Sequence, residues 1–248
     1  MAFLFALLGL LVGGLVNRLG TDLPSRRRVT RPHCPYCGQN RPWWQWVSLP
    51  SYAIGRAKCS YCGAPIRLRY PLTELGLTVV YAYLWVLLGV DPRLPLYLVY
   101  TAVFAIVLVT DFERRLILNK VMYPAILFAI AAGFVTPRMT WWSALAGGGI
   151  AFAFFLVVGI AGHALFGPGA LGGGDVKLAL FVGLVTGFPL VIEAMVLTII
   201  IGAVVSGFLF VTRLRTLHDY VPYGPFLVAG GLITLLWGYT IAEWYMYR

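Results

Sequence analysis

The sequence predicts an all-α polytopic membrane protein of about eight transmembrane helices, with a small cytoplasmic zinc-ribbon-like domain between helices 1 and 2. Three observations predict it. Of 248 residues, 60% are hydrophobic and only 11% charged, where a soluble domain carries roughly 25% charged residues, and the mean hydropathy is +0.84. Charge-free stretches recur at 75–90, 94–110, 121–137, 139–174, 178–192, 194–212 and 220–242, most of them close to the roughly 20 residues that cross hydrocarbon as a helix. All four cysteines fall in one polar segment, 17–70.

The first apolar run, Ala2–Val16, has only Met1 before it and its positive charge after it, in NRLGTDLPSRRR. A cleavable signal peptide has the opposite order. The run therefore reads as a retained span, with the N-terminus outside the cytoplasm. Segment 17–70 follows as the paired-cysteine domain, and 71–248 holds seven further helices. Within that part 139–174 is too long for one span, and divides into a helix from Trp141 to Phe166 and a glycine-rich loop ending at Asp175. This topology puts 16 of the 19 Lys and Arg on the cytoplasmic side and leaves Arg93, Arg138 and Arg248 outside, the bias that membrane insertion imposes. The net charge of +10 thus belongs mostly to one face and suits anionic lipid headgroups. No separate basic domain exists, so a nucleic-acid partner is excluded.

Segment 17–70 contains CPYC (Cys34, Cys37) and CSYC (Cys59, Cys62), each followed by glycine (Gly38, Gly63). Two C-x-x-C knuckles at this spacing suit a tetrahedral thiolate site for Zn2+. The rival, a pair of disulfides, conflicts with a reducing cytoplasm. Four thiolates leave no open position for water, so the role is structural. His33 reads as a bystander. The tryptophans of RPWWQWVSLPSYAIGRAK (Trp43, Trp44, Trp46) suit the headgroup region.

Few acids remain. Asp111 ends the run YLVYTAVFAIVLVT, and Asp175 follows Gly172, Gly173 and Gly174 in LGGGDVKLAL. The charge count places both at the cytoplasmic ends of their spans. Ionisable groups at membrane depth usually mark function. Two adjacent carboxylates tend to share one proton, the state in which an aspartic protease activates water with one and polarises a carbonyl with the other. The glycines open backbone angles closed to other residues and allow a peptide to approach. Asp175 also reads as a cap for the helix VKLALFVGL, compatible with catalysis. The helix N-terminus and Lys177 would both favour its charged form. There is no H-E-x-x-H, and no serine in a nucleophile-elbow setting. The other readings are a transporter or ion/proton channel using Asp111 and Asp175, and a zinc-containing secretion scaffold in which only the cysteines matter.

Taken in order, these residues resemble the bacterial prepilin peptidases, membrane aspartic proteases of the GxGD type. The resemblance rests on NRLGTDLP (17–24), the paired CxxC loop, RLRYPLTELG (67–76), Asp111, Gly172-Gly173-Gly174-Asp175 and VPYGPFL (221–227). One departure is Ile117-Leu118-Asn119, where the family has Leu or Ile, then Pro, then Asp. The resemblance implies Asp111 and Asp175 as the catalytic pair. It implies removal of the basic leader of type IV prepilins and pseudopilins after a glycine, on the cytoplasmic side of the inner membrane. It implies, too, methylation of the new N-terminus with S-adenosylmethionine, for which the sequence offers no donor site: a G-x-G-x-x-G after a strand is missing.

Overall fold

The structure is a computed structural model, and it describes residues 1–24, 31–34, 36–42, 45–55, 57–137, 139–167, 172–212 and 222–246. Trp43, Trp44 and Asp219 lie outside the described residues. The described chain is helical, without a β-strand among the described residues and with two isolated antiparallel bridges, His33 to Asn40 and Lys58 to Pro65. The order is α1 (Ala2–Asp22), α2 (Leu49–Ala53), α3 (Arg69–Leu88), α4 (Leu94–Arg114), α5 (Asn119–Gly133), α6 (Trp141–Phe166), α7 (Gly173–Thr186), α8 (Leu190–Val211) and α9 (Gly224–Met246). Six of these, α1, α3, α4, α6, α8 and α9, are long and apolar enough to cross a membrane. The other two of the eight expected spans come out short. At 15 residues α5 and at 14 residues α7 extend only about 20 Å, against a hydrocarbon core of about 30 Å.

The chain forms two compact units, Met1–Thr110 and Asp111–Arg248. In the first, α1 and α3 lie against each other. Gly9 and Gly13, four apart on α1, have no side chain to hold α3 away: a methyl on Gly13 would come within 2.7 Å of the Glu74 Cα. Small residues at this spacing are the usual means of close helix approach in lipid. Phe5 and Trp85 stack at 4.7 Å across the same seam. Glu74 is fully buried on α3. Its Oε2 accepts from the backbone N–H of Ser48 at 2.8 Å and of Leu49 at 2.7 Å, and its Oε1 accepts from Asn17 Nδ2 at 3.3 Å. One buried carboxylate therefore satisfies the amide groups that open α2 and fixes the cysteine-bearing segment to α1 and α3. Asn17 Nδ2 also donates to the Tyr70 carbonyl at 2.9 Å.

In the second unit α7 is the centre. Leu178, Ala179 and every residue from Phe181 to Thr186 are buried, because this helix is apolar on all faces and is enclosed by others. Gly183 of α7 and Gly147 of α6 face each other so closely that a methyl on either would strike the other's carbonyl.

Candidate active site

Asp111 begins the second unit in the last turns of α4, and Asp175 lies in the first turn of α7. Both are buried, at 4% and 5% exposure, and the field of the Asp111 carboxylate reaches Asp175. Ile117 sits between their supports. A Cβ on Gly174 would meet Ile117 Cβ at 2.8 Å, and one on Gly224 would meet Asp111 Oδ2 at 2.5 Å and Ile117 Cδ1 at 3.5 Å. The start of α9 and the start of α7 are thus both drawn up to the turn after α4, each without a side chain at the point of closest approach.

The aspartates differ in their partners. Asp175 Oδ2 accepts from the Gly172 backbone N–H at 3.2 Å, which caps α7. Asp111 Oδ2 is buried and has no hydrogen-bond partner among the described residues. A buried carboxylate oxygen left in this state is a position for a water or a substrate group.

Two expectations change. Gly172, Gly173 and Gly174 adopt no positive φ. Gly172 is extended at φ −78 and ψ 143, so the run is needed for approach at 172 and 174 and not for special backbone angles. The space at Gly173 is open. Lys177 does not serve Asp175: its Nζ donates to Asn119 Oδ1 at 2.7 Å and lies 5.0 Å from the Tyr123 ring centre. The cation whose field reaches Asp111 is Arg115, which turns the chain after α4 with φ 52. Leu118 holds φ −78, within the range of a proline ring, and Asn119 supplies the acceptor for Lys177. Sequence reasoning gave Tyr223 no role. It precedes Gly224, packs between Phe155 at 5.8 Å and Phe226 at 5.9 Å, and lies within the field of Asp175; no sequence period marks it.

In the first unit the four cysteines converge, their Sγ atoms all within 4.8 Å of one another. Each knuckle repeats the same bonds: Gly38 N–H to the Cys34 carbonyl at 2.9 Å, Gly63 N–H to the Cys59 carbonyl at 3.0 Å. The glycines take φ 71 at both turns, a value that disfavours any side chain. Cys34 and Cys62 Sγ are 3.7 Å apart, Cys37 and Cys59 Sγ 4.0 Å. A disulfide needs about 2.05 Å, whereas four thiolates about 2.3 Å from one tetrahedral ion stand roughly 3.8 Å apart. The backbone N–H groups of Cys62 and Tyr61 draw the Cys59 thiol down to about 6, towards the thiolate a metal binds. The cluster can hold a metal ion, and His33 is not part of it.

Comparison with known proteins supplies the family. Residues 98–207 match the model of the type IV leader peptidase family, and residues 7–88 match that of the bacterial peptidase A24 N-terminal domain. The chain belongs to the bacterial prepilin peptidases. As a prepilin peptidase with six apolar helices, it is a multi-pass inner-membrane protein. It is 27% identical over 240 residues to the prepilin leader peptidase/N-methyltransferase of Bacillus subtilis, covering 96% of this chain and 95% of that one. It is 27% identical over 241 residues to that of Vibrio cholerae, covering 93% and 94%. The relative from Myxococcus xanthus is 29% identical over 206 residues, 82% of this chain and 61% of its own length. No solved structure matches the chain.

Proposed function

We propose that this protein removes the leader peptide of type IV prepilins and pseudopilins and then methylates the new N-terminus, with Asp111 and Asp175 as the catalytic pair. The observation that carries this reading is the pair itself: two buried carboxyl groups from different helices, close enough for the charge of one to act on the other. Sharing one proton, they divide the work. The ionised carboxylate takes a proton from water as the water oxygen adds to the scissile carbonyl carbon. The protonated carboxyl donates to the carbonyl oxygen. As the tetrahedral species collapses, the C–N bond breaks, the amine nitrogen takes up a proton, and one carboxyl proton is returned to the pair. Gly173, with open space where a side chain would stand, leaves the main chain beside Asp175 bare for an extended peptide.

The excess of Lys and Arg on one side supports an N-terminus outside the cytoplasm and a site facing inward, near anionic lipids. Segment 17–70 then forms a cytoplasmic module, and 71–248 the seven-helix peptidase part. Cys34, Cys37, Cys59 and Cys62 hold a structural Zn2+, on the ground of their sulfur spacing. S-adenosylmethionine, when bound, would supply an electrophilic methyl group to the neutral amine, the S–CH3 bond breaking to leave a neutral thioether and the amine losing one proton. Neither a transporter nor a scaffold reading gains support from any feature of the site.

Incubating the full chain in membranes with a leader-bearing peptide and S-adenosylmethionine gives two fragments, cut after the glycine, with one methyl on the C-terminal fragment. An uncut peptide, read by mass, would remove the peptidase assignment. For the metal, elemental analysis returns about one zinc per chain, and Cys59→Ser lowers it severalfold. Full-length protein without zinc and with four free thiols would remove that site.

A further inference from the structure

We infer that the cleft in the first unit, between the second half of α1 and the segments flanking the first cysteine knuckle, holds the amino-acid end of the methyl donor. This rests on the methyltransferase reading above. Asn17, Arg18 and Asp22 of α1 line the cleft, together with Arg41, Trp46 and Tyr70. It is small, about 30 Å³, so it admits only the small zwitterionic end of a ligand and not a nucleoside.

Its polar inventory is unusual for a structural cleft. Asn17 and Arg41 are buried, at 2% and 7% exposure. Asn17 Oδ1, Arg18 Nε and Arg41 Nε are each buried without a hydrogen-bond partner among the described residues. Buried polar atoms are nearly always paired, and here three unpaired ones belong to a single cleft. Their requirements are opposite: two guanidinium N–H groups need an acceptor, and an amide oxygen needs a donor. A simple anion would serve the arginines and leave Asn17 unmet, and a simple cation would do the reverse. A zwitterion meets both, its carboxylate on Arg18 and Arg41 and its ammonium on Asn17 Oδ1. Asp22, buried at 3% exposure on the same wall, adds negative charge for the cationic end. S-adenosylmethionine carries an α-amino-acid zwitterion beside its sulfonium. Its adenine remains outside the enclosed volume, beside Trp46, which is 47% exposed; bases stack well on such a side chain.

The test uses the full chain in phosphatidylcholine nanodiscs with methyl-tritiated S-adenosylmethionine. Binding is measured by equilibrium dialysis, and the donor is photo-crosslinked and mapped by mass spectrometry. Arg41→Gln and Asn17→Leu are each expected to weaken binding tenfold or more, with bound zinc retained as the sign of an intact fold. The crosslink should fall within 14–48 or at Tyr70. Asp111→Asn, which stops cleavage, should bind the donor like the wild type. Unaltered binding in both cleft variants, or an adduct confined to 111–248, overturns the inference. Phosphatidylethanolamine presents the same pair of charges. If discs containing it displace the donor and no adduct forms in the cleft, the cleft belongs to the lipid and the inference fails. A cleaved product that is methylated while the donor binds elsewhere removes the cleft alone. A product never methylated by the wild type removes the methyltransferase reading, and the cleft with it.

Discussion

Asp111→Asn and Asp175→Asn each lower leader cleavage by at least about 10³-fold, and the double variant is no worse than either alone, because a pair that shares one proton works as a unit. Both substitutions keep side-chain volume in positions that are almost fully enclosed. At 175 an amide oxygen still accepts from the Gly172 N–H, so α7 keeps its cap. At 111 the Oδ2 oxygen has no hydrogen bond among the described residues to lose. Thermal melting should therefore move little while single-turnover cleavage collapses. A protein that merely conducts ions through these carboxylates would never have cut the peptide. Full processing by both variants would exclude the catalytic pair.

Much of this was written in the chain, for reasons that differ by element. Charge-free stretches located the long helices, because a helix is the only open-chain structure that satisfies its backbone in lipid; the span expected from Trp141 to Phe166 coincides with α6. Where the boundary is not a change of polarity, hydropathy failed. The stretch 178–192 reads as one apolar run, but α7 ends at Thr186 and α8 starts at Leu190. The break is made by Gly187 at φ 70 and Pro189, residues that interrupt a helix without interrupting an apolar sequence. At the other ends, α1 continues through Arg18 and Asp22, and α3 begins at Arg69 and takes in Glu74; Arg69 donates to Thr21 Oγ1 and Glu74 accepts from the Ser48 and Leu49 backbone N–H groups, partners that hydropathy does not register. The cysteine centre was legible since its spacing is local. The carboxylate pair was half legible: each aspartate stands out from an apolar background, but the approach of their helices involves Ile117, Gly174 and Gly224, which no period connects. Lys177 pairs with another neighbour, since two residues of separation from Asp175 say nothing about α5, where Asn119 and Tyr123 receive it.

Gly224→Ala provides the sharpest test of the geometry, because it should separate activity from stability. A methyl group at 224 would lie 2.5 Å from Asp111 Oδ2 and 3.1 Å from its Cγ, well inside van der Waals contact. The carboxylate must swing away, since Ile117 Cδ1 at 3.5 Å occupies the adjoining space. A displacement of about 1 Å at a reacting group costs on the order of 10²-fold in rate. Gly224 opens α9 without a positive φ, so alanine meets no left-handed strain there, and restriction of the unfolded chain, worth about 0.4–1 kcal/mol, offsets the cost of turning one carboxylate. The expected variant melts no lower than the wild type and cleaves about a hundredfold more slowly, while Gly207→Ala, on α8 with nothing within 4 Å of the added methyl, keeps the wild-type rate. Wild-type cleavage by Gly224→Ala would mean that Asp111 does not work from the position described. A large fall in melting temperature would mean that the tight approach of α9 supports the fold and not the carboxylate.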